Sequence, residues 1–435
     1  MDAILTITLI LFFLIALISG SPLYSIIAGT AVLLFSLVAD ASMSIVIIEM
    51  NRLANAPGLI AIPLFIFTGF IFAESNSSSR LIKLSGALLG WMPGGLAIVA
   101  VLVCTLFTAL TGGSGITIIA VGGILMPALV KEGYSKKFST GLITASGSSG
   151  VLFVPSLPII IYGMVTKTDI TQLFIAGILP GLLIIACLSG YGIFHGVKSN
   201  IPKTDFSPTL IVKSIWQLKW IIPLPFIVIG GIYSGFITIG EAAAVAACYA
   251  LITECLIYRE IPFDRLITIT IESMTMTGAI LIVLASALGL TNFMVDQEIP
   301  QKIMAVVTDN ISGKIMFLIA LNIFLLIVGC LMDIFSAIVV VAPLVAPIAA
   351  EFQIDPVHLG IIFLANLEIG YLTPPVGINL FISSLRFEIP VIRLYKTVIP
   401  FLILLVIALL IISYWPQLSL FLLDLSGKRV PLLQI

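Results

Sequence analysis

Long apolar runs alternate with short polar segments along the whole chain. A helix that spans a membrane needs roughly 20 apolar residues. Eight runs approach this length without interruption: 2–19, 22–39, 58–73, 169–194, 219–236, 239–258, 266–293 and 390–414. The pattern therefore predicts an all-α polytopic membrane protein.

Four further apolar stretches are interrupted by glycine, serine and proline. The interrupting sequences are TGGSG at 111–115, SGSSGVLFVPSLP at 146–158, GCLMD at 329–333 and NLEIGYLTPPVGINLF at 366–381. A shift of 220 residues places the second pair on the first, with Gly150 on Gly370 and Pro155 on Pro375. Because glycine and proline mark backbone interruptions, this spacing predicts two structural repeats, each with a re-entrant helical hairpin and a discontinuous helix.

The predicted repeats follow one another in the chain. Their boundaries are 1–215 for the first repeat, 216–426 for the second and 427–435 for a C-terminal tail, with hairpins at about 92–130 and 314–350 and discontinuous helices at about 138–166 and 357–385. Each predicted repeat has five full spans. Because this number is odd, the second repeat is inverted relative to the first. Basic loops then lie in the cytoplasm and the N-terminus lies outside, although the basic segment 426–430 does not follow this rule.

Composition supports a membrane protein and excludes several functions. The 435-residue chain is 60% hydrophobic and only 9% charged, whereas soluble domains carry roughly 25% charged residues. A net charge of −1 argues against a nucleic-acid partner. The five cysteines lack metal-ligand spacing. No phosphate-binding G-x-x-x-x-G-K-[ST] motif is present, which argues against an ATP-driven pump.

The interruptions could carry the chemistry of transport. Non-helical backbone at membrane depth is tolerated where it is buried or lines a cavity. Its carbonyls suit Na⁺, and the N-termini of half-helices suit a carboxylate. The candidates are Gly329, Gly370 and Thr373, with carbonyls up to Val376, and in the first repeat Thr108, Gly150, Phe153 and Ser156, with the hydroxyls of Ser114 and Ser149. The alternative is that these residues only provide kinks for helix packing.

Asp333 is an acid inside an apolar run, with no cation nearby in sequence. A charged side chain at the centre of a spanning helix costs roughly 2.5–3.5 kcal/mol on insertion scales and is therefore functional by default. Asp333 could ligate Na⁺, carry a proton or bind a substrate hydroxyl. Alternatively, it caps the second helix of its hairpin.

The other titratable residues have weaker cases. Glu241 follows a glycine and opens an alanine-rich helix, so its expected role is structural. Glu368 has Ser148 as its counterpart in the first repeat, so the repeat symmetry does not demand an acid there. Four others are expected at helix ends, in the interface or in solvent: Glu254, Glu272, His195 and His358.

Several long motifs resemble the large membrane subunit (M, DctM-like) of tripartite ATP-independent periplasmic (TRAP) transporters. They are the segment from TGGSGITIIAVGG to VPSLPIIIYG, and LFIAGILPGLL, GEAAAVAACYA and NLEIGYLTPPVGINLF. The resemblance implies a Na⁺-coupled elevator-type importer of an organic acid, such as a C4-dicarboxylate or sialic acid, in the bacterial inner membrane. It also implies two partners, a small four-helix membrane subunit (Q type) and a periplasmic binding protein (P type).

The family also implies roles for individual residues. One sodium site would use Thr108, Ser149, Gly150 and Phe153, a second would use Gly329, Gly370, Thr373 and Val376, and Ser114, Ser156 and Asp333 would contact substrate. The family often has Pro-Pro where this chain has Val154-Pro155. No organic cofactor and no enzymatic activity are expected. The chain starts directly at the first span of the large subunit, so no fused small subunit is expected.

Three alternatives differ in class. The first is a stand-alone Na⁺- or H⁺-coupled organic anion carrier of the same inverted-repeat type. The second is an intramembrane hydrolase that uses Ser114 or Ser149 with a histidine, although neither His195 nor His358 is predicted at midplane depth. The third is a passive channel, but the sequence lacks the rings of charge that channels use for selectivity.

Overall fold

The computed structural model describes residues 23–37, 47–48, 51, 59–201, 207–298, 302, 311 and 313–427. Within these residues the secondary structure is helical, with turns and no strand, which confirms the predicted all-α class. The predicted first span at 2–19, most of the loop at 40–57 and most of the C-terminal tail lie outside the described residues.

Eighteen α-helices occur in the described residues. The first nine are α1 (Leu23–Leu37), α2 (Ala61–Glu74), α3 (Ser77–Leu89), α4 (Gly95–Thr111), α5 (Ser114–Lys131), α6 (Lys136–Ser146), α7 (Leu157–Thr166), α8 (Ile170–Lys198) and α9 (Pro208–Leu218). The others are α10 (Pro223–Ser234), α11 (Ile239–Leu251), α12 (Phe263–Asp296), α13 (Lys314–Leu331), α14 (Ile334–Glu351), α15 (Pro356–Gly370), α16 (Ile378–Phe387), α17 (Val391–Tyr414) and α18 (Gln417–Ser426). Helix α11 continues as a π-helical turn, Ile252–Ile257.

Many of these helices are long and apolar enough to cross a membrane. Among the described residues seven pass this test, namely α5, α8, α11 with its π turn, α12, α13, α14 and α17. An eighth is possible if α9 and α10 count as one span, although they are bent by 65° at their junction. The chain is therefore a multi-pass membrane protein, as its composition predicts.

Helix boundaries recur at the spacing that the sequence predicted. Shifting α5 by 220 residues gives the bounds of α14 at both ends. The end of α4 falls on the end of α13, and the start of α6 falls on the start of α15. The two hairpins are thus α4–α5 and α13–α14, and the two discontinuous helices are α6–α7 and α15–α16. The division of the chain at 215/216 stays a prediction.

Helices of the first predicted repeat pack against helices of the second. The return helix α5 of the first hairpin packs against α16, and its counterpart α14 packs against α7. In the same way α6 packs against α17, and α15 packs against α8. This crosswise packing brings both hairpins and both discontinuous helices into one buried core.

A second group of helices flanks this core. Helix α2 packs against α11 and α12, and α1 packs against α12. The group touches the core where α2 and α3 meet α4 and where α12 meets α14. At one of these contacts a Cβ on Gly69 of α2 would lie only 2.4 Å from the Cα of Thr111. Only glycine allows α2 to approach the end of the first hairpin so closely.

Three helices have no counterpart in the predicted set of spans. Helices α3, α9 and α18 are 13, 11 and 10 residues long. Helix α9 lies between the predicted spans 169–194 and 219–236, in a segment that carries several basic residues. Such helices are too short to span a bilayer. A search for apolar runs as long as a membrane span therefore cannot find them.

Candidate functional site

The first discontinuous helix touches the first hairpin at Gly150. Helix α6 ends at Ser146 and α7 begins at Leu157, so Gly150 lies in the irregular segment between them. A Cβ on Gly150 would lie 2.2 Å from the carbonyl oxygen of Thr105 and 2.5 Å from the amide nitrogen of Ala109. The irregular segment therefore rests directly on the backbone of α4.

Hydroxyl groups surround this contact. Thr108 Oγ1 donates a hydrogen bond to the Gly147 carbonyl oxygen at 2.6 Å and lies 2.7 Å from Thr117 Oγ1. Ser149 Oγ donates to the Ser146 carbonyl oxygen at 2.7 Å and lies 2.7 Å from Thr105 Oγ1. The structure thus brings Thr108, Ser149 and Gly150 together.

The other two predicted residues of this segment have different surroundings. The amide of Phe153 donates to the Gly150 carbonyl at 3.1 Å, so Phe153 belongs to the same turn. Its ring packs on α8, where a Cβ on Gly181 would lie 2.5 Å from a ring carbon. Ser156 is buried at the start of α7, and its Oγ has no hydrogen-bond partner among the described residues.

The second discontinuous helix touches the second hairpin through two glycines. A Cβ on Gly370 would lie 2.5 Å from the carbonyl carbon and 2.6 Å from the Cα of Gly329. A second link follows, because the Gly377 amide donates to the Cys330 carbonyl oxygen at 3.2 Å. Gly329 is the counterpart of Ala109, so corresponding backbones meet in both repeats.

The segment after Gly370 exposes backbone oxygens. Thr373 donates from its amide to the Gly370 carbonyl at 2.9 Å and from Oγ1 to the Ile369 carbonyl at 3.0 Å. The carbonyls of Leu372, Thr373, Pro374 and Val376 accept no hydrogen bond from the described residues. The carbonyl of Pro375 differs, because Tyr395 Oη donates to it at 2.6 Å. Val376 is 36% exposed and lies at the open side of this segment.

Asp333 is the N-cap of α14. Its Oδ1 accepts hydrogen bonds from the amides of Phe335 and Ser336, each at 3.0 Å, and its Oδ2 accepts one from Ser336 Oγ. The adjacent amide of Ile334 donates to Tyr371 Oη at 2.5 Å. The capping alternative is therefore observed, and Tyr371 ties the tip of the second hairpin to the second discontinuous helix.

The three predicted substrate residues lie at three helix N-termini, those of α5, α7 and α14. At the tip of the first hairpin a Cβ on Gly112 would lie 2.4 Å from Leu157 Cδ1, which places this tip beside the start of α7. Gly112 has φ = 68°, a left-handed conformation that favours glycine. No hydrogen bond joins Asp333 to Ser114 or Ser156 within the part of the chain that the structure describes.

Three more buried polar groups lie around the interruptions without a partner. Glu368 is 0% exposed, and neither of its carboxyl oxygens has a hydrogen-bond partner among the described residues. The same holds for Ser148 Oγ, its counterpart in the first repeat. Asn379, near the start of α16, is also fully buried, with both amide atoms unpartnered in the described region.

One expectation about a titratable residue was wrong, and a second residue has a buried partner that the sequence did not indicate. His358 is buried rather than solvated, with Nδ1 3.1 Å from Ser419 Oγ and Nε2 3.4 Å from the Ser413 carbonyl oxygen. Glu254 lies near the end of its span, as expected, and is fully buried within the protein, where its Oε1 accepts a hydrogen bond from Ser77 Oγ at 2.8 Å. Both partners come from distant parts of the chain, which local sequence does not show.

The remaining expectations on single residues have mixed outcomes. Glu241 and Thr238 form a capping box at the start of α11, which confirms a structural role. Glu272 is exposed. His195 is partly exposed and stacks on Phe138, with ring centroids 3.9 Å apart.

The donor set around both interruptions is suited to a hard cation. The groups are carbonyl and hydroxyl oxygens, and no group of three His, Cys, Asp or Glu side chains occurs among the described residues. Oxygen donors of this kind suit Na⁺ rather than a transition metal. Such an ion could be coordinated by oxygens that have no hydrogen-bond partner among the described residues. These are the hydroxyls of Ser148 and Ser156 and the carbonyls from Leu372 to Pro374.

Sequence reasoning missed several members of these clusters. Thr105 and Thr117 look like ordinary members of apolar helices, and their contacts to Ser149 and Thr108 depend on tertiary packing. Tyr371 directly follows Gly370 and could have been found from its position in the interruption. The unpartnered state of Glu368 and Asn379 cannot be found from the sequence.

Comparisons with known proteins agree with these features. The family model described as "Tripartite ATP-independent periplasmic transporter, DctM component" matches residues 8–418. A C4-dicarboxylate TRAP transporter large permease protein DctM of Pseudomonas aeruginosa is 36% identical over 393 residues, covering 89% of this chain and 91% of that protein. An isethionate TRAP transporter permease protein DctMQ of Oleidesulfovibrio alaskensis is 36% identical over 365 residues, and the match spans 83% of this chain but 58% of that relative.

A solved structure shares the fold. The YdaH transporter of Alcanivorax borkumensis, described as having an unusual topology, superposes with a TM-score of 0.57 at 13% sequence identity. The superposition covers 87% of this chain and 88% of the other. At this identity the likeness concerns the arrangement of helices alone.

Proposed function

Because this chain belongs to the DctM component family of tripartite ATP-independent periplasmic transporters, we propose that it is the large permease subunit of a Na⁺-coupled importer of an organic acid. The proposal places it in the bacterial inner membrane, with the N-terminus in the periplasm. Its two partners are a small Q-type membrane subunit and a periplasmic P-type binding protein. A family name with the word tripartite supports both partners.

One observation carries the proposal best. In both halves of the core a hairpin and a discontinuous helix meet backbone to backbone, at Gly150 and Ala109 and at Gly370 and Gly329. Paired discontinuous helices near the midplane are the typical ion and substrate sites of secondary transporters built from inverted repeats. The crosswise packing of α5 on α16 and α14 on α7 supports the inverted arrangement.

Sodium ions would be held by the two clusters of oxygens. In the first cluster we assign Thr108, Ser149, Gly150 and Phe153. In the second cluster we assign Gly329, Gly370, Thr373 and Val376. When bound, Na⁺ supplies positive charge that offsets the cost of moving an anion into the membrane. The residues themselves contribute carbonyl and hydroxyl oxygens, which replace water around the ion.

Three helix N-termini support an anionic substrate. Ser114 and Ser156 open α5 and α7, and Asp333 caps α14. The N-terminus of a helix carries a partial positive charge, which favours a carboxylate, and at α14 the first amides are already bonded to Tyr371 and Asp333. The Asp333 carboxylate is already bonded to amides of its own helix, which lowers its repulsion of an incoming anion. The named relatives transport isethionate or C4-dicarboxylates, both small organic acids.

The proposed motion is an elevator. The core of α4–α8 and α13–α18 would move as a unit, and the flanking group of α1–α3 and α9–α12 would act as the scaffold. The main contacts between the two groups are those of α2 and α3 with α4 and of α12 with α14. The close approach of Gly69 to Thr111 lies at this boundary.

The test is uptake into proteoliposomes that contain this chain with its cognate small subunit. Radiolabelled organic acids are supplied together with the loaded binding protein and an inward Na⁺ gradient. We expect uptake only when all components are present and uptake to stop when Na⁺ is replaced by K⁺. Unchanged uptake without Na⁺ would overturn the coupling, and robust uptake by this chain alone would identify a stand-alone carrier instead.

A further inference from the structure

Helices α3 and α9 form a groove on the surface of the flanking group. The two helices pack side by side, and the cavity between them has a volume of about 400 Å³. Its described lining consists of Lys83, Gly86, Ala87, Ser207, Leu210, Lys213, Ser214 and Gln217. The lining therefore combines apolar side chains with ammonium, hydroxyl and amide groups.

The groove has a positive charge that nothing in the described region neutralises. Lys83 and Lys213 are both exposed and form no ion pair with any described residue. No acid occurs in the described lining. An adjoining cavity shares Lys83 and Gln217 but contains Glu260, which is paired with Arg80. The unbalanced charge is thus concentrated at the two lysines.

An exposed apolar and aromatic surface borders the same groove. On α9, Val212, Ile215 and Trp216 are 67%, 44% and 69% exposed. The ammonium of Lys219 lies 3.9 Å from the ring centroid of Trp216 and 5.5 Å from that of Trp220. Exposed tryptophan next to lysine on an amphipathic helix is typical of the interface between membrane and water.

The direction of α9 agrees with this position. Helix α9 is bent by 65° from α10, which continues the chain into the apolar region. A helix at this angle to a spanning segment can lie near the plane of the membrane surface. Its apolar side chains then enter the lipid, while Lys213 and Lys83 stay at the level of the headgroups.

From these observations we propose that the groove between α3 and α9 binds the headgroup of an anionic phospholipid. The phosphate lies between Lys83 and Lys213, and the hydroxyls of Ser207 and Ser214 and the amide of Gln217 are available to the rest of the headgroup. The acyl chains follow the exposed apolar surface of α9. A zwitterionic headgroup fits less well, because its own cation would face the two lysines.

The site has a direct optical probe. Trp216 and Trp220 lie beside the groove, whereas the other two tryptophans of the chain, Trp91 and Trp415, lie on other segments. Phosphatidylglycerol with brominated acyl chains quenches tryptophan fluorescence on contact. The full chain with Trp91→Phe and Trp415→Phe is reconstituted in phosphatidylcholine bilayers, and quenching is titrated with brominated phosphatidylglycerol and with brominated phosphatidylcholine. We expect quenching at a lower mole fraction of the anionic lipid.

Variants separate charge from shape. A basic residue near a membrane surface contributes about 1 kcal/mol to the attraction of anionic lipid, so Lys83→Gln and Lys213→Gln should each weaken the preference roughly five-fold. Gly86→Leu changes no charge but places a side chain in the groove, because Gly86 lines it and a Cβ there meets no atom within 4 Å. It should weaken binding of both lipids in the groove.

Matched controls are Lys137→Gln and Gly190→Leu. Lys137 is exposed on α6, and Gly190 is exposed on α8 with open space around its Cβ. Both should leave quenching unchanged. The proposal is overturned if the two lipids quench equally, or if the lysine and Gly86 variants behave like the controls. Full displacement of the brominated lipid by millimolar glycerol phosphate would identify a site for a soluble anion instead.

Discussion

The backbones of Gly329 and Gly370 touch, with no side chain between α13 and α15 at this point. A Cβ on Gly370 would lie 2.5 Å from the carbonyl carbon of Gly329, and one on Gly329 would lie 3.1 Å from the Cα of Leu367. Such an approach leaves room only for glycine at position 370. The end of the second hairpin is therefore fixed on the helix interruption, and the carbonyls that follow Gly370 are held beside it.

We predict that Gly370→Ala disrupts this contact. The added methyl group collides with backbone, which cannot rotate away as a side chain can, so the two helices must separate. Overpacking of this kind costs about 1–3 kcal/mol. The expected result is a lower melting temperature in detergent and a loss of Na⁺-dependent uptake in proteoliposomes.

Gly278→Ala is the matched control for this substitution. Gly278 lies inside α12, is exposed and has no atom within 4 Å of a Cβ position. Alanine favours a helix over glycine by about 1 kcal/mol, so the control should not lose stability. Wild-type uptake by Gly370→Ala would show that the close approach is not required.

Asp333 allows capping to be separated from transport. Asparagine caps a helix about as well as aspartate, whereas alanine loses roughly 1 kcal/mol. We predict that Asp333→Asn keeps the melting temperature but reduces uptake roughly ten-fold or more, because hydrogen bonds to a charged group contribute about 1.5–3 kcal/mol. Asp333→Ala should lose both stability and uptake. Near-normal uptake by Asp333→Asn would restrict Asp333 to the role of a cap.

Thr373 is predicted to contribute a hydroxyl oxygen to one sodium site. A hydroxyl group of this kind contributes about 1 kcal/mol. Its loss in Thr373→Ala should therefore raise the Na⁺ concentration for half-maximal uptake roughly five-fold. Thr397→Ala is the control, because Thr397 also donates to the carbonyl four residues earlier, at 2.9 Å, but lies on α17 away from the interruption. An equal shift in both variants would point to a general effect of losing a helical threonine.

Much of the fold follows from the sequence alone. Apolar runs and interruptions by glycine and proline identify the spans, both hairpins and both discontinuous helices, since membrane backbone must form its hydrogen bonds internally. The repeated spacing places Gly150 and Gly370 at corresponding interruptions, whereas their backbone contacts with α4 and with Gly329 appear only in the structure. The short helices α3 and α9 do not follow from the sequence, because their amphipathic patterns are shorter than a span.

Hydrogen bonds between side chains that are distant in the sequence could not be predicted from it. Ser77 and Glu254 are 177 positions apart and still form a hydrogen bond. Thr105 contacts Ser149 across 44 positions. These pairs depend on how the helices are arranged in space, and a single sequence read on its own carries no record of that arrangement. The local capping role of Asp333, in contrast, could be predicted from its place before α14.

Glu368 should accept a neutral substitute. Its carboxyl group is fully buried and has no hydrogen-bond partner among the described residues. An ionised carboxylate in such a place costs several kcal/mol, so an amide of the same shape should be tolerated. We predict that Glu368→Gln keeps the melting temperature, whereas Glu368→Lys, which forces a buried charge, prevents accumulation in the membrane. A marked loss of stability in Glu368→Gln would show that the carboxyl group has a partner in the membrane.

Arg80 and Arg265 both link residues 74–80 to residues 254–265 within the flanking group, but they differ in burial. Arg80 lies 3.8 Å from the buried Oε2 of Glu254, bonds to Glu260 and places its guanidinium 3.8 Å above the ring of Tyr258. Arg265 pairs with Glu74 at 2.5 Å, but both side chains are substantially exposed.

We predict that Arg80→Gln destabilises the protein far more than Arg265→Gln. Removing Arg80 leaves Glu254 buried without a counter-charge, and breaking a buried pair costs about 3–5 kcal/mol. Water solvates Glu74 when Arg265 is removed, so that variant should melt close to the wild type. The double variant Arg80→Gln with Glu254→Gln should recover much of the loss, because it removes the unpaired charge. Equal melting temperatures for the two single arginine variants, measured in the same detergent, would show that water reaches Glu254.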